Sequence, residues 1–181
     1  MTRVRRYLLI GMTAMYGAVV QAEVPEMYQV VAAQNGVPAK LFFALMLNES
    51  RTQVNSVTGK KALPWPWTIN HRGKPYFFPN KEAAFLFARD LVVRGDKMFD
   101  VGLGQVNWFW HEKRFRGLWE AFDPFTNLTA AARHFREQYE RPECNTWTKA
   151  VGCYHRPGQR PADKEIASAY TGRVLALWKN I

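Results

Sequence analysis

Glu49 is the residue whose position most favours acid–base chemistry. It comes shortly after an apolar run, residues 41–47, that covers every face of a predicted helix, and a helix that is apolar all round is buried. Burial disfavours the charged form of a carboxyl group and raises its pKa. A carboxylic acid still protonated near neutral pH can donate its proton to a glycosidic oxygen. Helix ends usually reach water, so this position also suits a solvated carboxylate.

A second polar segment, residues 100–107, places two glycines beside two amides. Glycine allows a ligand to approach the backbone closely, and the amides of Gln105 and Asn107 can bond sugar hydroxyls and acetamido groups. The segment lacks the spacing and the strand context of a dinucleotide site, and it also suits a flexible turn between helices. Asp100, at its start, is a candidate second carboxylate for a glycosidase, or a turn or cap residue.

Aromatic side chains flank both segments. Their faces can pack on the C–H faces of sugars, although most large aromatics bury their surface in the core. We expect one or two of the following five to face a substrate: Trp65, Trp67, Tyr76, Trp108 and Trp110.

The histidines lack the spacing of a metal site. His71, His111, His134 and His155 are scattered along the chain, and no His-Glu-x-x-His motif occurs. The segment 153–155 contains Cys and His but has no second ligand pair at zinc-finger spacing. We therefore expect neither a metal nor another cofactor.

The elements that must position these residues are mainly helical. Apolar periodicity and capping signals predict helices at 25–34, 39–50, 81–94, from about 123 to 139, 146–154 and 163–179. Four prolines between residues 59 and 80 exclude a helix there. Strand-forming residues at 67–69 and 76–78, separated by the polar turn 71–74, predict a β-hairpin.

The first 22 residues have the pattern of a secretory signal peptide. Three arginines precede an apolar stretch at 7–20, and Val20-Gln21-Ala22 suits a cleavage site. The stretch is short for a membrane span, which needs about 20 apolar residues. An uncleaved anchor is the alternative. Cleavage would leave one domain, residues 23–181, with no stable membrane span.

The basic charge and the predicted export together indicate an acidic partner outside the cytoplasm. The 181 residues carry 25 Lys and Arg against 15 Asp and Glu. An exported basic protein suits an acidic surface such as peptidoglycan, which bears lactyl and stem-peptide carboxylates, and export disfavours a nucleic-acid partner. In an oxidising compartment Cys144 and Cys153 favour a disulfide, with two buried thiols as the alternative.

Four motifs in chain order resemble those of the lytic transglycosylases of the soluble (SLT) type. They are Glu49-Ser50, the segment 102–107, Asn127-Leu128 with Ala131-Ala132, and Tyr154. The resemblance runs from about residue 25 to residue 158 and implies a lysozyme-like fold.

The resemblance also implies roles for individual residues. Glu49 would be the catalytic acid, and Ser50 would help to place the substrate. Gln105, in the Gly-Leu-x-Gln segment, would line the glycan cleft, where Asn107 is a further candidate for substrate binding. Tyr154 would contact the catalytic glutamate.

Three features depart from the family pattern. His155 stands where the family often has Asn, and Gly104 stands where Met is frequent. The stretch between Ser50 and Gly102 is long, and we interpret residues 59–98 as an insertion that holds the hairpin and a helix. The insertion resembles those of enzymes attached to conjugation, type IV secretion or pilus machines.

The resulting hypothesis is a mainly α, lysozyme-like single domain with a small β-hairpin. It would be a periplasmic, monomeric lytic transglycosylase that cleaves the β-1,4 bond between N-acetylmuramic acid and N-acetylglucosamine and forms a 1,6-anhydro sugar. One alternative is a muramidase that uses water and Asp100. The other is a non-catalytic peptidoglycan-binding scaffold of a secretion machine.

Overall fold

A computed structural model describes residues 23–56 and 59–181, so the predicted signal peptide lies outside the described residues. The chain begins with helix α1, Glu26–Gln34, and helix α2, Ala39–Ser50. Every residue from Leu41 to Leu47 is buried. The apolar run therefore makes α2 the central helix of the core, and Glu49 lies in its last turn.

Four further helices follow, close to their predicted bounds. They are α3 (Lys81–Val93), α5 (Pro124–Glu140), α6 (Trp147–His155) and α7 (Pro161–Lys179). The side chains of Asn80, Asp123 and Thr146 cap the first three by accepting hydrogen bonds from backbone N–H groups, as such residues do at helix N-termini. The mainly helical fold is thus confirmed.

The predicted hairpin forms and belongs to a larger sheet. Strand β3, Thr68–His71, pairs antiparallel with β4, Lys74–Phe77. Strand β3 also pairs with β5, Phe99–Val101, and β5 pairs with β6, Val106–Asn107. The strand order is β4-β3-β5-β6. The glycine segment is therefore a tight turn between β5 and β6, and not a flexible connection between helices.

A second hairpin, which the sequence did not predict, follows α2 directly. Strand β1, Arg51–Ser56, pairs antiparallel with β2, Gly59–Pro64. The short helix α4, Trp108–His111, comes after β6.

Helices α1 and α7 pack directly on α2. Helix α7 lies against both α2 and α6, α6 against α5, and α1 against both α2 and α5. A disulfide joins Cys153 of α6 to Cys144 in a short 3₁₀ turn, Pro142–Cys144. This packing brings the end of α2, the β5–β6 turn and helices α5, α6 and α7 together at one place.

One structural finding concerns membranes. In the part of the chain that the structure describes, no single helix is long and apolar enough to cross a bilayer. Helices α1 and α2 meet the same length and composition criteria only as a pair, which is bent by 115°.

Candidate active site

Glu49 is held by a phenol from the C-terminal helix. The hydroxyl of Tyr170, in α7, donates a hydrogen bond to Oε1 of Glu49. Burial raises the pKa of Glu49 to about 8, and the neighbouring charge of Asp100 adds to the rise. The hydrogen bond from Tyr170 and the charge of Arg173 lower the pKa and only partly offset these effects. Glu49 is therefore mostly protonated at neutral pH, as a general acid must be.

Tyr170 was not among the residues that the sequence singled out for function. It is 2% exposed, and burial raises the pKa of its hydroxyl well above the ordinary value. It remains a proton donor in the hydrogen bond to Glu49. One sequence feature could have identified Tyr170, namely its position on the predicted apolar face of α7. A buried tyrosine hydroxyl usually has a hydrogen-bond partner, so a polar group was to be expected near it.

Tyr154 lies beside the same carboxyl but bonds another group. Its hydroxyl donates to the backbone oxygen of Gly104 at 2.6 Å. Burial raises the pKa of this hydroxyl, and the charges of Glu49 and Asp100 raise it further. The resemblance implies a contact between Tyr154 and Glu49, and their electrostatic interaction is consistent with it. The hydrogen bond to Glu49 comes from Tyr170, because the hydroxyl of Tyr154 is engaged with the β5–β6 turn.

The glycines of the β5–β6 turn are required by protein packing. Gly102 has φ +76°, and a Cβ atom there would lie 2.4 Å from Nδ2 of Asn127. A Cβ atom at Gly104 would lie 2.4 Å from the Cβ of Ala131. The sequence reasoning assigned these glycines to close approach by a ligand. In the structure they let the turn sit directly on α5.

The side chain of Asn127, in α5, fixes the β5–β6 turn through hydrogen bonds. Its Nδ2 donates to the backbone oxygens of Val101 at 3.0 Å and of Ala121 at 2.9 Å, and its Oδ1 accepts from the backbone N–H of Gly104 at 2.9 Å. The side chain is 1% exposed. The Asn127-Leu128 motif thus has a positional role.

Ser50 holds the turn from the side of α2. Its side chain is buried, and its hydroxyl lies 2.7 Å from the backbone oxygen of Leu103. This hydrogen bond fixes the turn relative to the neighbouring Glu49. The role in placing the substrate that the resemblance implies for Ser50 stays a prediction.

Gln105 and Asn107 use their amide N–H groups within the protein. Gln105, at φ +45°, donates from Nε2 to the backbone oxygen of Gly102 at 2.8 Å. Asn107 donates from Nδ2 to Oδ1 of Asp100 at 2.9 Å and caps α4 through its Oδ1. Asp100 lies opposite Asn107 in the β5–β6 pair. Burial raises the pKa of Asp100, and the hydrogen bond from Asn107 opposes the rise.

The aromatic side chains divide into buried and exposed ones. Trp108 is in the core, whereas Trp110 is 70% exposed. Trp65 and Trp67 are half-buried and pack edge to face at 5.3 Å. Tyr76 packs against Phe87 in α3. Trp110 is therefore the member of the five whose face is most open to a ligand.

The histidines have protein partners. His71 pairs with Asp96 at 2.9 Å. His111 and His134 contact each other, with ring centroids 4.6 Å apart. His155 stacks on Tyr170, with centroids 4.3 Å apart and planes inclined by 6°. Among the residues that the structure describes, no group of three or more side chains could hold a metal ion.

The arrangement is a half-buried acid near a second carboxyl, at the junction of a helix end and a small sheet. No curated protein matches the chain, and no solved structure does. The transglycosylase SLT domain family matches residues 26–173, which is most of the chain. The match includes Glu49, the β5–β6 turn and Tyr170. The chain therefore belongs to the transglycosylase SLT domain family and is a lytic transglycosylase of the lysozyme-like superfamily that acts on peptidoglycan.

Proposed function

We propose that Glu49 is the catalytic acid and that the enzyme cleaves the β-1,4 bond between N-acetylmuramic acid and N-acetylglucosamine. The observation that carries this proposal is the position of Glu49 at the end of the buried helix α2, where the hydroxyl of Tyr170 bonds its carboxyl; burial there raises the pKa of Glu49 to about 8. Protonated carboxyls at neutral pH are uncommon because an exposed glutamate has a pKa near 4.5. Within the SLT family such a group has a direct use in protonating a leaving oxygen.

One carboxyl group serves both halves of the reaction. Glu49 donates its proton to the glycosidic oxygen, and the bond from that oxygen to the muramyl anomeric carbon breaks. The 6-hydroxyl of the same muramyl residue then attacks the anomeric carbon, and the Glu49 carboxylate accepts the hydroxyl proton. The product carries a 1,6-anhydro ring, and the enzyme ends with Glu49 protonated as it began. No water and no cofactor are consumed.

Tyr170 and Asp100 have supporting roles in this scheme. Tyr170 can donate its hydrogen bond to either form of Glu49 and stabilises the carboxylate that forms after proton donation. Asp100 lies near enough for its charge to raise the pKa of Glu49. When ionised it would stabilise positive charge that develops at the anomeric carbon.

The proximity of Asp100 also favours a second candidate, hydrolysis by water. In that reaction Asp100 would act as nucleophile or charge stabiliser, as second carboxylates do in retaining glycosidases. The products separate the two reactions, because hydrolysis leaves a reducing end that is heavier than the anhydro end by one water molecule.

The test is mass spectrometry of the soluble products after residues 23–181 are incubated with purified peptidoglycan. We expect muropeptides with 1,6-anhydromuramyl ends. Glu49→Gln should lower the rate by 10²–10⁴-fold, roughly the contribution of general acid catalysis. The matched control is Glu165→Gln, which neutralises an exposed glutamate of α7 and should cleave at the wild-type rate. Normal cleavage by Glu49→Gln would reject the proposal.

We further propose that the enzyme is exported to the periplasm, works as a monomer and opens the wall for a conjugation, type IV secretion or pilus apparatus. The basic charge, the disulfide between Cys144 and Cys153 and the pattern of residues 1–22 support export. The insertion at 59–98 supports the link to an apparatus. N-terminal sequencing of the periplasmic form should find Glu23 first, and the uncleaved sequence would contradict this.

A further inference from the structure

A basic hollow of about 650 Å³ lies between the segment after α4 and one face of α5. Its volume is in the range of small-ligand sites, roughly 300–1,000 Å³. Four of its lining residues are cationic and two are acidic: Lys113, Arg114, Arg116, Arg133, Glu120 and Glu137. The benzyl side chain of Phe125, which is 43% exposed, also lines it.

Two of these cations have their charge compensated by the acidic residues. Arg114 donates from Nη1 to Oε1 of Glu137 at 2.9 Å and makes a second, parallel bond to the other oxygen. The side chain of Arg116 lies 3.9 Å from Glu120. The pairing uses both carboxylates of the hollow.

The other two cations, Lys113 and Arg133, remain available to a ligand. Both are exposed, and within residues 23–56 and 59–181 neither has an ion-pair or side-chain hydrogen-bond partner. The hollow therefore presents two uncompensated positive charges beside an apolar ring. This combination suits a carboxylate-bearing ligand, since arginine binds carboxylates through two parallel hydrogen bonds.

The hollow is adjacent to the active site around helix α5. Residues on a helix are about 100° apart. Asn127 and Ala131 face the β5–β6 turn. Ala130, about 100° from Ala131 around the helix, lines the near side of the hollow, and Arg133 lines it farther round, on the exposed side of α5. Arg114 reaches toward both places. Besides pairing in the hollow, it donates to Nδ1 of His111 at 3.3 Å; His111 contacts His134, whose ring centroid lies 5.0 Å from that of Tyr154.

Electrostatics also connects the hollow with the active site. The charge of Arg114 lowers the pKa of the Tyr154 hydroxyl, so the guanidinium lies within electrostatic reach of that side chain. Tyr154 in turn bonds Gly104 beside Glu49. The contacts from Arg114 through His111 and His134 to Tyr154 thus run from the hollow to the β5–β6 turn, and a side branch of a polymer bound at Glu49 would extend along them.

We propose that Lys113 and Arg133 bind a carboxylate of the stem peptide of peptidoglycan. This inference rests on the proposed function, because the stem peptide is the anionic branch of that substrate and is attached to the muramyl lactyl group. The hollow would make the enzyme select glycan that carries peptide over glycan from which the peptide has been removed.

The test compares cleavage of peptide-bearing glycan with cleavage of glycan stripped by an amidase. For the wild type we expect higher kcat/KM on peptide-bearing glycan. In the double variant Lys113→Ala with Arg133→Ala, kcat/KM should fall about tenfold on peptide-bearing glycan, as expected for the loss of charged hydrogen bonds. Its kcat/KM on stripped glycan should equal that of the wild type. The control, Arg89→Ala with Lys179→Ala, removes two exposed cations outside the hollow and should match the wild type on both.

Direct binding of the isolated stem peptide keeps this test separate from catalysis. Titration calorimetry with Glu49→Gln should detect binding, and addition of the two hollow substitutions should abolish it. Unchanged selectivity and unchanged peptide binding in the hollow variant would overturn the inference even if anhydro products form. If the wild type forms no anhydro products, the proposed function fails. Peptide binding that depends on Lys113 and Arg133 would still show that the hollow binds the stem peptide.

Discussion

The Glu49 carboxyl depends on its neighbours for its proton affinity. Burial and the charge of Asp100 raise its pKa, whereas the hydrogen bond from Tyr170 lowers it. The hydrogen bond favours the carboxylate that forms after proton transfer. Tyr170 therefore tunes the pH at which Glu49 loses its proton, in addition to fixing where the carboxyl points.

Tyr170→Phe removes the hydroxyl and keeps the buried ring. The pKa of Glu49 should then rise above about 8, so the alkaline limb of the kcat profile should move to higher pH. We expect kcat at neutral pH to fall about tenfold, because the carboxylate loses one hydrogen bond worth about 1.5 kcal/mol. Tyr139→Phe is the control. An unshifted alkaline limb would show that Tyr170 does not bond the carboxyl during turnover.

His155 covers one face of Tyr170. Burial and the charges of Arg156 and Arg173 lower the pKa of His155, so the stacked imidazole is neutral at neutral pH. His155→Ala should lower kcat several-fold, since aromatic pairs contribute about 0.5–1.5 kcal/mol. His155→Phe keeps a flat ring and should restore most of the rate. Equal losses in both variants would mean that stacking is not what His155 contributes.

The sequence could indicate Glu49 but not its partner. The signals for Glu49 are local, because the apolar run that buries it is adjacent in the chain. Tyr170 is 121 positions away, and only the packing of α7 on α2 brings its hydroxyl to the carboxyl. Ser50 has the same limitation, since its hydrogen bond to Leu103 spans 53 positions.

At the level of elements, the fit of the β5–β6 turn on α5 determines the geometry of the site. Gly104 contributes a carbonyl to Tyr154 and an N–H to Asn127. Its α-carbon approaches Ala131 so closely that no further atom fits between them. A small residue at 104 and a small residue at 131 are therefore required together.

Gly104→Ala tests this requirement. The new Cβ would lie 2.4 Å from the Cβ of Ala131, so the turn must move, and we expect a loss of about 1–3 kcal/mol in the free energy of unfolding with a matching loss of activity. Ala131→Gly removes the opposing atom. The double variant should recover most of the loss in urea denaturation, and additive losses would contradict direct contact.

The helices could be predicted because their signals are local. Apolar periodicity and the capping residues Asn80, Asp123 and Thr146 lie within each helix or directly before it. The hairpin β1–β2 was missed because its first strand is polar and lacks a regular apolar alternation. Strands β5 and β6 were missed because they are three and two residues long and are defined by pairing with β3.

At the scale of the whole molecule, the disulfide ties α6 to the 3₁₀ turn before it. The bond joins positions nine apart, and cross-linking so short a loop stabilises a protein by about 2–3 kcal/mol in the chain-entropy model. Replacement of Cys144 and Cys153 by Ser should lower the free energy of unfolding by that amount. Dithiothreitol should lower the free energy of unfolding of the wild type by the same amount. If dithiothreitol also destabilised the double variant, reduction of this disulfide would not explain the loss.

The pH dependence of stability reports the protonation state of Glu49 in the whole fold. Its pKa is about 8 in the folded protein and near 4.5 when exposed. Between these values the folded chain binds more protons than the unfolded chain, so unfolding releases protons and its free energy falls as pH rises. The free energy of unfolding is therefore lower at alkaline pH than near pH 5.

Glu49→Gln removes this proton and keeps an acceptor for Tyr170. Relative to the wild type, the variant should therefore gain stability as pH rises from 5 to 8 and gain little more above that. We expect a relative gain of about 2–4 kcal/mol, since each pKa unit corresponds to roughly 1.4 kcal/mol and the full shift is an upper bound. Urea denaturation at pH 5, 6.5, 8 and 9 measures it. The free energy of unfolding of Glu165→Gln should depend on pH in the same way as that of the wild type. If Glu49→Gln also showed the wild-type pH dependence, Glu49 would already be ionised in the folded enzyme at neutral pH.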